Sequence, residues 1–200
     1  MANQNAAFGL RPINFNGTTW SGAIKLCYFP TSQAGNIFIG DPLIPLGSTD
    51  AFGVPALGIA TAGATNIVAG AFLGNSNGPA GSASTLLQSS TVYRAASTAN
   101  YGLYCDDPDM LFAIQEDSVG GAIADTTGGY ANANLVQGNG STVTGLSGWM
   151  LDSSTVATGN ATYQVKVLGL LRAADNALGN YAKWIVRLNT AALAQNTAGF

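Results

Sequence analysis

The apolar residues of this chain come in short runs, and nearly every run is cut off by Gly, Pro or Asn. That punctuation constrains the fold more than any other feature. An amphipathic helix needs roughly 10–12 residues of uninterrupted 3.6-residue period, whereas a strand needs only about 4–8. The runs are of strand length. Residues 23–29 (AIKLCYF) stop at Pro30, and residues 36–39 lead into the turn Gly40-Asp41-Pro42. Residues 43–46 follow, where Pro45 permits only an edge or irregular strand. Residues 56–60, 67–73, 92–95, 101–105 and 111–115 continue the series, with Asp106-Asp107-Pro108-Asp109 turning the chain between the last two. Residues 162–171 and 182–188 are the clearest strands. In the first of them the large apolar groups alternate, which predicts one buried face with Gln164 and Lys166 pointing outward. Many short strands with Gly-rich turns predict an all-β fold, a small barrel or a sandwich; nothing in the sequence separates these two.

The same reading divides the chain into three parts. Residues 1–20 form an extended N-terminal arm, without a period of two or 3.6 but carrying Phe8, Leu10, Ile13, Phe15 and Trp20. A disordered tail would avoid so many large apolar groups. The arm therefore docks, either on a neighbouring subunit or as an edge strand of its own domain. Residues 21–190 form the β-rich body, with 74–90 as a flexible loop or insert, and 191–200 are a C-terminal tail. Residues 120–148 are rich in Gly, Asn and Thr, and within them 130–136 are expected to form a helical turn or short helix.

Composition narrows the function. Charged residues are 8% of the 200, against roughly a quarter in an average soluble domain. A free monomer uses charge to stay soluble and apart from its neighbours. A surface built from Asn, Gln, Ser, Thr, Gly and Ala suits permanent contact with other subunits. The seven Lys and Arg residues are scattered and the net charge is −3, so no basic stripe is available for phosphates and nucleic-acid binding is not expected. No apolar run reaches the ~20 residues of a membrane span, and no charged-then-apolar leader opens the chain. Cys27 and Cys105 sit in apolar runs and are expected as buried free thiols.

The chain contains no histidine, which removes the commonest general base and the commonest metal ligand. Gly74-Asn75-Ser76-Asn77-Gly78 matches G-x-S-x-G, but that string has catalytic meaning only at a strand-to-helix turn with a His elsewhere. Asp106, Asp107 and Asp109, with Glu116 and Asp117 one strand later, admit three readings: a polar turn, an adventitious cation site, or paired carboxylates for glycan cleavage. Trp20, Trp149 and Trp184 read as core or interface anchors, and the N-x-S/T strings at Asn16, Asn139 and Asn160 as turn chemistry. No catalytic residue, cofactor or metal is expected.

Several strings together resemble a known family. Ala7-Phe8-Gly9-Leu10-Arg11-Pro12-Ile13 opens the chain, and Phe38-Ile39-Gly40-Asp41-Pro42 follows. Further on come the block from Asp106 to Asp117 and the stretch Thr144-Gly145-Leu146-Ser147-Gly148-Trp149-Met150-Leu151-Asp152-Ser153-Ser154. The closing pair is Leu168-Gly169-Leu170 with residues 182–188. In these the chain is similar to head decoration or capsid cement proteins of tailed bacteriophages. The resemblance implies a β-rich (β-tulip-like) body, often trimeric, made in the bacterial host cytoplasm and seated on the capsid surface of the virion over junctions of the major capsid protein. It implies that Phe8, Leu10, Arg11, Pro12, Ile13 and Phe15 of the arm contact the partner. Another phage structural part (tail tube, neck or shell), a displayed glycan-binding module, and a virion glycan-cleaving enzyme are the competing readings.

Overall fold

The computed structural model describes residues 3–14, 22, 24–79, 91–124 and 128–193. Its regular secondary structure is almost wholly short strands. Five of them close into a barrel: β2 (Lys25–Phe29), β3 (Pro42–Thr49), β4 (Pro55–Ile59), β5 (Gly70–Ser76) and β6 (Asn100–Cys105), in the order β2-β4-β3-β5-β6. All pairings are antiparallel except β2 with β4, which meet in parallel at Tyr28 and Ala56. Pro45 is accommodated because β3 pairs with β5 only at Pro42 and Leu43, and its register with β4 breaks beyond Pro45. The barrel interior is filled by Cys27, Phe29, Leu43, Leu57, Phe72 and Tyr104. Phe29 and Phe72 meet edge to face at 5.5 Å. The opposing position must be glycine: a Cβ on Gly102 would lie 2.6 Å from the Phe72 ring and 2.7 Å from the Phe29 ring.

Against the barrel packs a five-stranded antiparallel sheet in the order β1-β7-β12-β11-β8, formed by β1 (Arg11–Ile13), β7 (Leu111–Gln115), β8 (Asn132–Ala133), β11 (Val165–Leu170) and β12 (Lys183–Leu188). A two-stranded ribbon, β9 (Leu135–Val136) with β10 (Met150–Leu151), completes the fold. Period-two alternation distributes side chains among three cores. Phe72 and Tyr104 enter the barrel, while their neighbours Ala71 and Cys105 join Phe112, Ile114, Trp149, Trp184 and Val186 in the main core between barrel and sheet. On the other face of the sheet, Ala113 and Ile185 pack with Ile13 and Leu171. Cys27 and Cys105 are buried free thiols.

Two expectations need correction, and one choice left open is decided. Residues 130–136 are not helical. Ala133 and Leu135 both enter the main core at a spacing of two, and Asn132 exchanges both backbone hydrogen bonds with Ala157. Gln164 does not point outward. It is fully buried, its amide oxygen accepting from Gly63 (2.9 Å) and Leu135 (3.2 Å) and its amide nitrogen donating to Thr61 (2.9 Å). Over residues 3–13 the leading segment lies on its own body: β1 pairs with β7, and Leu10 and Ile13 are inside the protein. Gln115 clasps this strap, accepting from Ala6 N–H and donating to the Gln4 carbonyl. Phe15 and Trp20 lie outside the described residues, as does 80–90 of the expected 74–90 loop; Gly74–Ser76 belong to β5. At the other end of the body, Ala191 bridges to Val68, so the core continues past residue 190.

Candidate functional site

Strings that lie far apart in the chain meet at one crossing. Leu10 N–H donates to the Gly40 carbonyl (2.8 Å), and the backbones are so close that a Cβ on Gly9 would lie 2.3 Å from that oxygen and 2.6 Å from Ser147 Cβ. Both Gly9 (φ 70°) and Gly40 (φ 96°) are in the left-handed region, so glycine is required twice over. Ile39 N–H donates to Gly145 and Ser147 N–H returns to Ile39, at 2.8 and 2.9 Å. Gly40 N–H donates to Phe72 of the barrel wall, and Phe72 N–H donates to Asp41. Trp149 N–H donates to the Ser147 hydroxyl (3.0 Å), which seats the indole in the main core.

Asp41 sits in this crossing, 1% exposed, with its carboxylate accepting from Phe38 N–H at 2.8 Å. Burial pushes its carboxyl up to about 6, against the opposing pull of the Phe38 N–H and the Ser147 hydroxyl. No charged side chain contributes to that shift.

The acidic block is a set of structural bonds. Asp106 pairs with Lys25 (2.8 Å), tying β6 to β2. Asp107 accepts from Asp109 N–H (2.9 Å), the signature of an Asx turn, and Asp109 pairs with Arg187 at 3.1 Å. Glu116 is fully buried and accepts from Trp184 Nε1–H (2.9 Å), Ile123 N–H (3.1 Å) and the Ser118 hydroxyl (3.1 Å). Burial raises its pKa, and these donors pull the other way. Asp117 accepts from the Ser153 N–H and hydroxyl, and Asp152 caps the 3-10 turn Ser153–Thr155. The turn reading therefore accounts for the acidic residues. Among the described residues no group of three or more His, Cys, Asp or Glu side chains could hold a metal ion, and no helix is long and apolar enough to cross a membrane. Ser76 of the G-x-S-x-G string ends β5, with its hydroxyl donating to the Asn77 carbonyl.

Of the expected contact residues, Leu10 and Ile13 are buried in the chain's own cores, whereas Phe8 and Pro12 are half-buried and Arg11 is exposed. The Arg11 guanidinium lies over the Phe8 ring at 4.6 Å. These two residues line a cleft of about 630 Å³ with Gln4, Leu171, Asp175 and Lys183. A second cleft of about 670 Å³ lies beside the barrel, between β3 and Tyr104.

Sequence reasoning passes over Arg94. It is fully buried, and its guanidinium donates to the carbonyls of Gln33 (2.7 Å), Gly35 (2.9 Å) and Pro30 (2.8 Å). Burial lowers its pKa to about 10, with Tyr28 opposing, so it stays charged at neutral pH. One signal is present: Arg94 is the sole charged residue between Asp50 and Asp106. A lone charge in so long a neutral stretch points to a structural task.

Comparison with family models, with curated proteins and with solved structures returns no match to this chain.

Proposed function

We propose that this chain is a structural protein of a tailed-phage particle, which seats on the outer surface of the head and cements neighbouring capsomers. Its partner is the major capsid protein. The observation that carries the reading is the meeting of the family-like strings in space. Phe8-Gly9-Leu10, Gly40-Asp41-Pro42 and Ser147-Gly148-Trp149 form one backbone crossing, and Asp117 is bonded to the Asp152-Ser153-Ser154 stretch. Three of the strings that together resemble head decoration proteins thus meet at one place in the fold. The acidic groups are taken up by bonds within the chain, Asp106 to Lys25, Asp109 to Arg187 and Glu116 to Trp184, which favours a non-enzymatic role.

The physical task is adhesion. A filled head is under outward pressure, and a cement subunit resists it by burying apolar area across capsomer joints at about 25 cal/mol per Å². Many identical copies turn modest contacts into a strong lattice by avidity. On this chain the leading segment offers Phe8, Arg11 and Pro12, and β1 offers an open sheet edge to which a neighbour can add a strand. Leu10 and Ile13 serve instead to hold that edge in place.

The test is to add the purified chain to heads stripped of it. Binding should be saturable, and the heads should release DNA at a higher temperature. Heads that ignore the protein would end the proposal, as would a purified chain that turns over a glycan.

A further inference from the structure

We infer that the cleft between β3 and Tyr104 binds an uncharged aliphatic alcohol, with the hydrocarbon in the mouth of the barrel and the hydroxyl between Lys25 and Asp106. This goes beyond the cement reading and does not depend on it.

The cleft is where the barrel stays open. Leu57, Ala69 and Tyr104 belong to the barrel core and also line the cleft, so its inner surface continues that core. Lys25 stands two residues before Cys27 of the same core, hence on the inward face of β2 and opposite Tyr104. The opening has a local cause. β3 pairs with β4 at Pro45 and again at Thr49, but the register shifts between them, with Gly47 in the left-handed region (φ 67°). On its other side β3 meets β5 only at Pro42 and Leu43. The lips of the cleft carry Pro45 and Pro55, which have no N–H. A hydrocarbon lying against them strips water from no backbone donor at those positions. The volume of about 670 Å³ falls within the roughly 300–1,000 Å³ usual for small-molecule sites, and barrel mouths are a common place for them.

The polar groups select the head of the ligand. Among the described lining residues, Lys25 and Asp106 carry the charges, and they pair at 2.8 Å, so the two cancel. A carboxylate entering here would gain Lys25 but meet Asp106, and an ammonium would gain Asp106 but meet Lys25. A hydroxyl suits both. It accepts from Lys25, whose ammonium has three N–H groups and gives one to Asp106. It donates to Asp106, since a carboxylate has about four lone-pair sites. The lysine side chain is 57% exposed, so its other N–H groups are open to a ligand. Burial and the neighbouring Asp106 carboxylate raise the pKa of the Tyr104 hydroxyl, which stays protonated beside that carboxylate. Tyr104 is also the aromatic residue of the described lining and is only 6% exposed. That leaves no ring face for a sugar to stack on, so the body of the ligand is a hydrocarbon.

Calorimetric titration of the full chain at neutral pH with 1-octanol, octanoate and octylammonium tests the assignment, because the three share one hydrocarbon and differ in charge. Octanol should bind saturably, and each ion roughly 10-fold more weakly. Removing one charge should change the order. Lys25→Gln should favour octylammonium, and Asp106→Asn should favour octanoate. Ser48→Trp, at an exposed position on the lip, should fill the cleft, abolish binding and leave the melting temperature unchanged. Octanol that does not bind overturns the inference, as does binding that survives Ser48→Trp. Equal binding of all three compounds also overturns it, since any apolar patch would give that result. Tighter binding of octanoate by the unaltered chain overturns the alcohol and assigns the cleft to an acid.

Discussion

The barrel and the sheet solve the same problem with opposite charges. Each has an irregular loop at its edge whose backbone cannot pair with a neighbouring strand. At the barrel, the turn after β2 directs carbonyls inward, and the buried cation Arg94 donates to three of them. At the sheet, the turn after β7 directs an N–H inward, and the buried anion Glu116 accepts from it, from the Trp184 indole and from Ser118. Neither set of bonds includes an oppositely charged side chain. The lesson is that the sign of a buried ion here follows from which backbone groups the loop turns inward. A glycine-rich chain leaves such groups unpaired, and an isolated buried polar group costs about 1–3 kcal/mol. One ion that bonds several of them can offset its own desolvation.

Removing the barrel ion is the strongest way to break this symmetry. Arg94→Met should destabilise by roughly 3–5 kcal/mol, because three charge-assisted bonds go at once: the Gly35 carbonyl loses its donor, and those of Pro30 and Gln33 keep only the N–H of Gln33 and of Ser97. Chemical denaturation checks the size, and faster hydrogen exchange confined to 30–39 checks the place. Glu116→Leu should cost about 2–4 kcal/mol, less because the half-buried Ser118 can turn to water. Its signature should be a changed Trp184 fluorescence with no change at the barrel.

Asp41 sharpens the comparison, since it is a buried acid at the crossing with fewer donors than Glu116. Its folded pKa lies above the unfolded value of 3.8, so the native state prefers the protonated form. The favourable contribution is present below about pH 4, fades as pH rises to about 6, and is absent above. Asp41→Asn should therefore stabilise the protein at pH 7, by at most about 3 kcal/mol, and give no gain at pH 4. Melting temperatures of the two proteins at both pH values test the sign. Gly102→Ala should cost about 1–3 kcal/mol by driving a methyl into the Phe29–Phe72 pair, with the barrel alone affected. The smallest effect belongs to Lys25→Gln. Its pair with Asp106 is largely exposed on the lysine side, so less than about 1 kcal/mol should be lost, and added salt should erase the difference.

Much of the fold is legible in the order of residues. The strands at 111–115 and 182–188 are found where alternation places them, and Asp107 caps the turn that joins β6 to β7. These features are local: a period of two or an Asx turn is complete within a few residues. Residues 130–136 mislead because Ala, Asn and Leu in alternation carry no strong preference, and pairing of Asn132 with Ala157 and of Ala133 with Val165 decides their state. The strap is legible as docked, since its apolar groups have to be covered. Whether its own sheet or a neighbour covers them depends on the place of β7.

By itself, then, the amino-acid sequence determined an all-β chain, its turns, its scarcity of charge and its two buried thiols, because each follows from short-range sterics or from composition. Only the tertiary structure decided that five strands close into a barrel against a sheet, and that Gln164 and Arg94 face inward. Those outcomes depend on partners many residues away. A polar side chain goes inside only where distant backbone groups are waiting to bond it, and no local pattern records where they will be.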